Sequence, residues 1–364
     1  MTKVFLAPHA FAVNPPAMAK RLDEKLSRIH AGTATSRDFI IADAKDADMA
    51  FGVAAPGPSR GKCRHGFNES EGCWKTLPEY LEQIRAIVRQ DIVDIVLVSA
   101  SNLERLAIEE GLFANSQITP AARANDTSDI WAVRGGKYAA LPSRSFRTAT
   151  LDHIKYGRIT NDHTAPTRGA DLGLYSITFT NDLDWDHRAL EDFHAFRLEA
   201  ERKQFRYFLE VFNPNVDPGF EPRKTGAFLN DHIVRTLAGV TAAGRPLFLK
   251  MPYNGPGPLE ELVSYDPSLV VGILGGSAGT TLDAFKLLHD AKKHGARVAL
   301  FGRKINLSEH PLAFVEFLRR IADDEIQPVE AVKAYHAVLQ NVGIKPQRAL
   351  HADLQATTQV MRYR

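Results

Sequence analysis

The run PLFLKMPYN places Lys250 inside an otherwise apolar stretch. An unpaired buried ammonium is costly, so a lysine in such a setting lowers its pKa or finds a partner. In the neutral form a lysine attacks a ketone or aldehyde, and the iminium that results withdraws electrons, making the carbon–carbon bond β to it breakable. The structural alternative is a lysine that carries its ammonium to a rim or pairs with an acid there. Glu210, between Leu209 and Val211, is a candidate for that acid. It could equally move protons during imine formation and retro-aldol cleavage. Asp43, in IIADAKD, could take the proton of the substrate hydroxyl as the carbon–carbon bond breaks, or could simply cap a turn.

A second chemistry is anion binding. GILGGSAGTT offers Gly275, Gly276 and Ser277 just before a helix start, where backbone N–H groups and the helix dipole favour negative charge. ALFGRKI repeats the pattern with Gly302 and adds the guanidinium of Arg303. The alternative for Arg303 is an ion pair with Glu309; Lys304 beside it reads as solvated. Asn181, Asp182 and Arg134 are candidate substrate-loop residues. Histidines do not cluster where they would bind a metal, so no metal is expected. Cys63 and Cys73 flank His65 in a glycine-rich stretch and read as ordinary reduced thiols, not as a disulfide framework or zinc site.

Something must hold these residues together. Short apolar runs alternate with longer amphipathic ones, the pattern of a parallel sheet wrapped by helices. Strands are predicted over 39–43, 92–98, 117–123, 173–179, 206–212, 246–251, 269–274 and 297–301. Helices are predicted over 15–30, 76–90, 102–111, 186–203, 225–239, 258–264, 280–294, 311–321 and 328–340. The count favours a (β/α)8 TIM barrel in a single domain spanning 1–364, with a core over 38–322, an N-terminal extension 1–37 and a C-terminal helix and tail 323–364. A doubly wound open sheet would carry GxGxxG after its first strand; ADAKDADMAFG lacks it. In a barrel the active site lies at the C-terminal strand ends, with a phosphate site after strands seven and eight. Lys250, Glu210, Asp43 and both glycine loops fall at such ends.

On these residues the chain resembles the class I aldolases grouped with deoxyribose-phosphate aldolase, nearest to the archaeal-type fructose-bisphosphate and the tagatose-bisphosphate aldolases. Their strand eight carries Gly-Arg, then Asp-Pro and a helix; here the counterparts are Gly302-Arg303 and His310-Pro311. Their first-strand Asp fits Asp43, and the tagatose branch's strand-five Glu fits Glu210. The resemblance spans 38–322, and its specific part is strands five to eight. It departs at strand four, where the tagatose branch has a lysine and this chain has Thr180-Asn181-Asp182. The archaeal branch's strand-five tyrosine has no counterpart, because Tyr207 lies at the wrong end. The inserts 49–75 and 124–170 belong to neither branch. The resemblance implies a lyase that cleaves or forms a phosphorylated ketose through an imine on Lys250, without cofactor or metal, and a homo-oligomer. Two other readings stay open: another phosphate-binding barrel enzyme, an isomerase or decarboxylase, or a non-catalytic sugar-phosphate-binding barrel.

Bulk properties narrow the partners. The formal charge is +2 over 364 residues with both signs mixed, which argues against nucleic acid or a membrane surface. The N-terminus MTKVFLAPHAFAV lacks the apolar length of a signal peptide, and no run approaches the roughly 18 apolar residues of a membrane span. A soluble, cytoplasmic protein is expected. The two inserts, with Asp126, Asp129, Arg134, Arg144 and Arg147, are expected to cover the barrel mouth, serving recognition or oligomer contacts, unless they are merely solvated.

Overall fold

The computed structural model describes residues 19–59, 73–162, 165–276 and 279–361. Eight parallel strands close into a barrel: β1 (Ile40–Lys45), β2 (Ile95–Val98), β3 (Thr119–Arg123), β4 (Leu172–Thr178), β5 (Arg206–Phe212), β6 (Leu249–Met251), β7 (Val271–Leu274) and β8 (Val298–Phe301). Each pairs with its sequence neighbours, and β8 closes on β1 through Ile40–Val298 to Asp43–Phe301. The fold is a (β/α)8 TIM barrel.

Strand period two divides the apolar residues into two cores. Ile40, Ala42, Ile95, Leu97, Leu174 and Phe208 belong to the set that fills the barrel, where Phe208 stacks on Phe248 at 4.6 Å. Their alternates, such as Ile41, Val96, Tyr175, Leu209 and Leu249, face the helices. The helix Arg21–His30 plugs the N-terminal end by burying Leu22 and Leu26 in the inner set. Its Lys25 is anchored below β1 and β2, 2.8 Å from Asp94 and 3.0 Å from the Phe39 carbonyl.

The helix Leu77–Gln90 shows how local sequence sets an element. Thr76 and Glu79 form a capping box, Pro78 sits in the first turn, and Tyr80, Leu81, Ile84, Ile87 and Val88 make the buried stripe. The chain leaves this helix at Asp91 in a left-handed conformation, φ 53°. Several elements differ from expectation. The helix predicted over 102–111 is Ala100–Leu103 followed by π-helix Glu104–Glu109. The 124–170 insert holds an unpredicted short helix, Leu151–Tyr156, capped by Thr150. Strand β6 is shorter than 246–251 and is followed directly by Pro252, which cannot donate to a ladder.

The described start of the first insert and the first part of the second meet at the C-terminal rim, whereas the helix Leu151–Tyr156 of the second is tied to Lys203, just ahead of β5. The second forms a ribbon in which Asp126–Thr127 pair antiparallel with Ser145–Phe146. Trp131 packs against Tyr138 and Phe146 at 5.1 and 5.0 Å, and the Ala132 N–H donates to the Ala50 carbonyl of the first insert at 2.9 Å. Cys73 is disulfide-bonded, which corrects the reading of it as a reduced thiol; Cys63 and His65 lie outside the described residues. Among the described residues no helix is long and apolar enough to cross a membrane.

Candidate active site

A cavity of about 390 Å³ opens at the C-terminal strand ends. Inward parity selects its floor: Glu210 on β5 and Lys250 on β6 are register partners, and both side chains follow the inward phenylalanines Phe208 and Phe248 by two residues. Lys250 Nζ lies 2.5 Å from Glu210 Oε1. The other Glu210 oxygen accepts from Ser176 Oγ of β4 at 2.8 Å and lies 3.5 Å from Arg123 of β3. Lys250 and Glu210 are both buried, so this pair is shielded from bulk solvent and its Coulomb attraction is stronger than at a surface.

Arg123 is the hub of the network. It donates from Nε to Asp46 at 2.5 Å and from Nη1 to Ser176 at 3.1 Å, and it approaches Asp126 at 3.8 Å. Burial alone would depress its pKa, but the carboxylates of Asp46, Glu210 and Asp126 outweigh that and raise it. Asp126 sits behind the cavity wall, and its carboxyl is pushed up to about 6, chiefly by burial; Arg123 opposes the rise, and Asp46 and other nearby carboxylates add to it.

The β8 side is different in character. Arg303 lines the cavity with its guanidinium 5.6 Å over the Phe51 ring; burial pushes that group's pKa down against the pull of Glu210, and among the described residues no carboxylate pairs with it. Gly276 (φ 60°) and Gly302 line the same end. A Cβ at Gly302 would come within 2.7 Å of the Ala44 carbonyl, so the strand crossing there requires glycine.

No protein-family model and no curated protein matches the chain. Solved structures do match in fold. A crystal structure of an archaeal fructose 1,6-bisphosphate aldolase aligns with TM-score 0.56 at 15% identity, covering 83% of this chain and 99% of that one. A structural analysis of reaction intermediates of the Schiff-base-forming fructose-1,6-bisphosphate aldolase aligns at TM-score 0.56 and 17% identity, again over 83% and 99%. A fructose-bisphosphate aldolase from Slackia heliotrinireducens aligns at TM-score 0.60 and 14% identity, over 93% and 96%. At these identities the likeness is one of fold.

The barrel brings together Lys250, Glu210, Gly275, Gly276, Gly302 and Arg303. Ser277 lies outside the described residues. Asp43 is a correction. It points to the outer face, fully buried, with Lys45 at 3.0 Å, and burial drives its carboxyl up against the opposing pull of that lysine. Lys45 in turn bonds Asn306, under the helix Arg303–Leu307. Asp46 is the acid that reaches the cavity from the first strand.

Other expectations are corrected too. Asn181 and Asp182 do not line the cavity. Asn181 takes a left-handed turn, φ 63°, and bonds the Pro218 carbonyl, while Asp182 caps the helix Leu183–Arg202. Arg134 is exposed and also stands outside the cavity lining. Gly275 is structural: its N–H donates to the Leu300 carbonyl at 2.7 Å, and a Cβ there would strike the Phe301 ring at 2.1 Å. The helix start after β7 is already occupied, since Thr281 N–H donates to Asp353 of the C-terminal tail at 2.7 Å. Glu309 does not pair with Arg303; it accepts from Tyr335 and from the Gln347 N–H. Lys304 is buried and donates to the Gly279 carbonyl at 2.8 Å. Sequence reading missed Asp46 and Arg123 as cavity residues, whereas Asp129 was named only as one of the insert charges; the two-residue alternation from Ala42 through Ala44 points to Asp46, and from Ala121 to Arg123.

Proposed function

We propose that the protein is a class I aldolase, cleaving or condensing a phosphorylated ketose through an imine on Lys250. The observation that carries this reading is an amine at the cavity floor held 2.5 Å from a buried carboxylate. Attack of Nζ on the substrate carbonyl gives a carbinolamine. Glu210 takes the ammonium proton and passes it, and then the second proton that the nitrogen sheds, to the former carbonyl oxygen, which leaves as water. Asp46 removes the proton of the hydroxyl carried by the far carbon of the bond to be broken, the carbon that becomes the aldehyde. The carbon–carbon electrons flow into the iminium to give an enamine and a free aldehyde; the proton that Asp46 took is then returned to the enamine carbon, and water hydrolyses the resulting iminium to release the second product and Lys250. Gly276, Gly302 and Arg303 hold the phosphate. The barrel that this chain shares with Schiff-base aldolases supports the reading, as does the Arg303 guanidinium at the same cavity, which among the described residues has no carboxylate partner.

The test is chemical trapping. Incubation with dihydroxyacetone phosphate and reduction by borohydride is expected to add a stable mass at Lys250, located by peptide mapping, and Lys250→Met is expected to abolish it. An adduct on a different lysine would sink the site assignment. Absence of any adduct with any carbonyl substrate would sink the aldolase reading and favour acid–base chemistry by Lys250 in an isomerase or decarboxylase.

A further inference from the structure

Two charges of the cavity lining, Arg303 and Asp129, stand on opposite sides of it. In the ring of strands β8 lies four places from β4, so the two stand diametrically opposite. Arg303 follows β8. Against the end of β4 stands Asp129, whose carboxylate accepts from Thr178 Oγ1 at 3.1 Å and from Ser143 Oγ at 2.7 Å. Asp129 lines the cavity, and Phe212 and Asn213 continue that wall. The cations lining the cavity, among the described residues, are Arg123, Lys250 and Arg303. Arg123 is engaged by Asp46, Glu210 and Asp126, and Lys250 by Glu210. Of the arginines in this insert, Arg144 stacks 4.0 Å over Trp185, Arg147 pairs with Glu199 at 2.7 Å, and Arg134 is exposed and outside the cavity lining.

We infer that the site takes a sugar with a single phosphate, bound at the Arg303 end, whose far end is uncharged and hydroxylated and rests against Asp129. This deepens the aldolase reading and rests on it for the sugar class. The polarity follows from charge. A phosphate dianion gains at an open guanidinium, whereas a second phosphate would be driven against the Asp129 carboxylate in a partly desolvated wall. A carboxylate facing a cavity is instead a good acceptor for hydroxyl donors, and it rejects an anion by repulsion as much as it selects a hydroxyl by bonding.

The experiment compares ketohexose 1-phosphates with their 1,6-bisphosphates, which differ by one phosphate, by calorimetric binding to the wild-type protein at fixed ionic strength. The monophosphates are expected to bind at least about tenfold more tightly, and Asp129→Asn is expected to narrow that gap. Asp129→Ser gives a second test should the amide disturb the ribbon. Equal or tighter binding of the bisphosphates by the wild type would overturn the inference. Borohydride trapping on the same samples separates the two claims. Monophosphate preference without a Lys250 adduct keeps the charge inference and defeats the aldolase reading. An adduct with bisphosphate preference does the reverse, and no binding of either class defeats both.

Discussion

Asp43 and Asp46 are three residues apart and do opposite work. Odd positions of β1 face the helices, even positions the barrel, so Asp43 and Lys45 form a buried outer pair while Asp46 reaches the cavity and Arg123. Their substitutions should therefore fail in different ways. Asp46→Asn is expected to lower turnover by about 10²-fold or more, the usual worth of a positioned general base, with a smaller fall in urea midpoint than at Asp43, because Glu210 and Asp126 remain beside Arg123. Asp43→Ala leaves the ammonium of Lys45 buried without its carboxylate, which costs about 3–5 kcal/mol. It is expected to lower the urea midpoint sharply, with activity per folded molecule retained. The reverse assignment of effects would refute the parity argument. The identity of the lysine was legible in the sequence because an ammonium in an apolar strand is conspicuous. Asp43 and Asp46 could not be told apart by residue type, since both sit in IIADAKD; only the alternation separates them, and it needs the inner and outer cores to be known.

At the scale of elements, the ribbon and the C-terminal tail each have a test. Asp126 begins the ribbon, and burial raises its carboxyl from the ordinary 3.8 to about 6. The folded state therefore holds a proton that the unfolded state releases between those values. The stability this contributes is complete below pH 3.8 and is lost as pH rises through about 6. At about 1.4 kcal/mol per pH unit the full effect is about 3 kcal/mol. Urea unfolding across pH 4 to 8 is expected to show this decline, and Asp126→Asn to flatten it and to be the more stable protein at the alkaline end. A variant whose profile keeps the wild-type slope would sink the assignment. The tail is held by Asp353, which accepts from Thr281 N–H at 2.7 Å and pairs with His336 at 2.9 Å. Asp353→Ala strands both donors, at about 1–3 kcal/mol, and is expected to speed hydrogen exchange over residues 345–361 before the barrel strands open. The strands themselves were legible from their apolar runs. The tail's seat on Thr281 was not, because it joins residues 72 positions apart with no local signal at either end.

The molecule as a whole is a barrel closed at one end and roofed at the other. Leu22 and Leu26 seal the N-terminal end, so ligands approach the Lys250 floor from the C-terminal mouth. There the two inserts meet through Ala132 and Ala50, and the ribbon carries Asp129 and Ile130 into the cavity wall. Length and composition identified the inserts as extra to a barrel, but their meeting point depends on pairing between segments about eighty residues apart, which sequence periodicity does not report. The ribbon has little regular structure; its two short strands span Asp126–Thr127 and Ser145–Phe146. Its stiffness comes instead from Trp131 packed between Tyr138 and Phe146, contacts worth about 0.5–1.5 kcal/mol per pair beyond their area. Trp131→Ala removes that clamp without touching the barrel core. The melting temperature is expected to move little, because Trp131 is already 38% exposed and belongs to neither core. Substrate affinity should suffer, because Asp129 is then held less firmly two residues away; a loss on the order of tenfold in kcat/KM is expected, with the Lys250 adduct still forming. If kcat/KM is unchanged, the ribbon is a cover and does not position substrate. If the adduct is also lost, the ribbon supports the floor of the site as well as its wall.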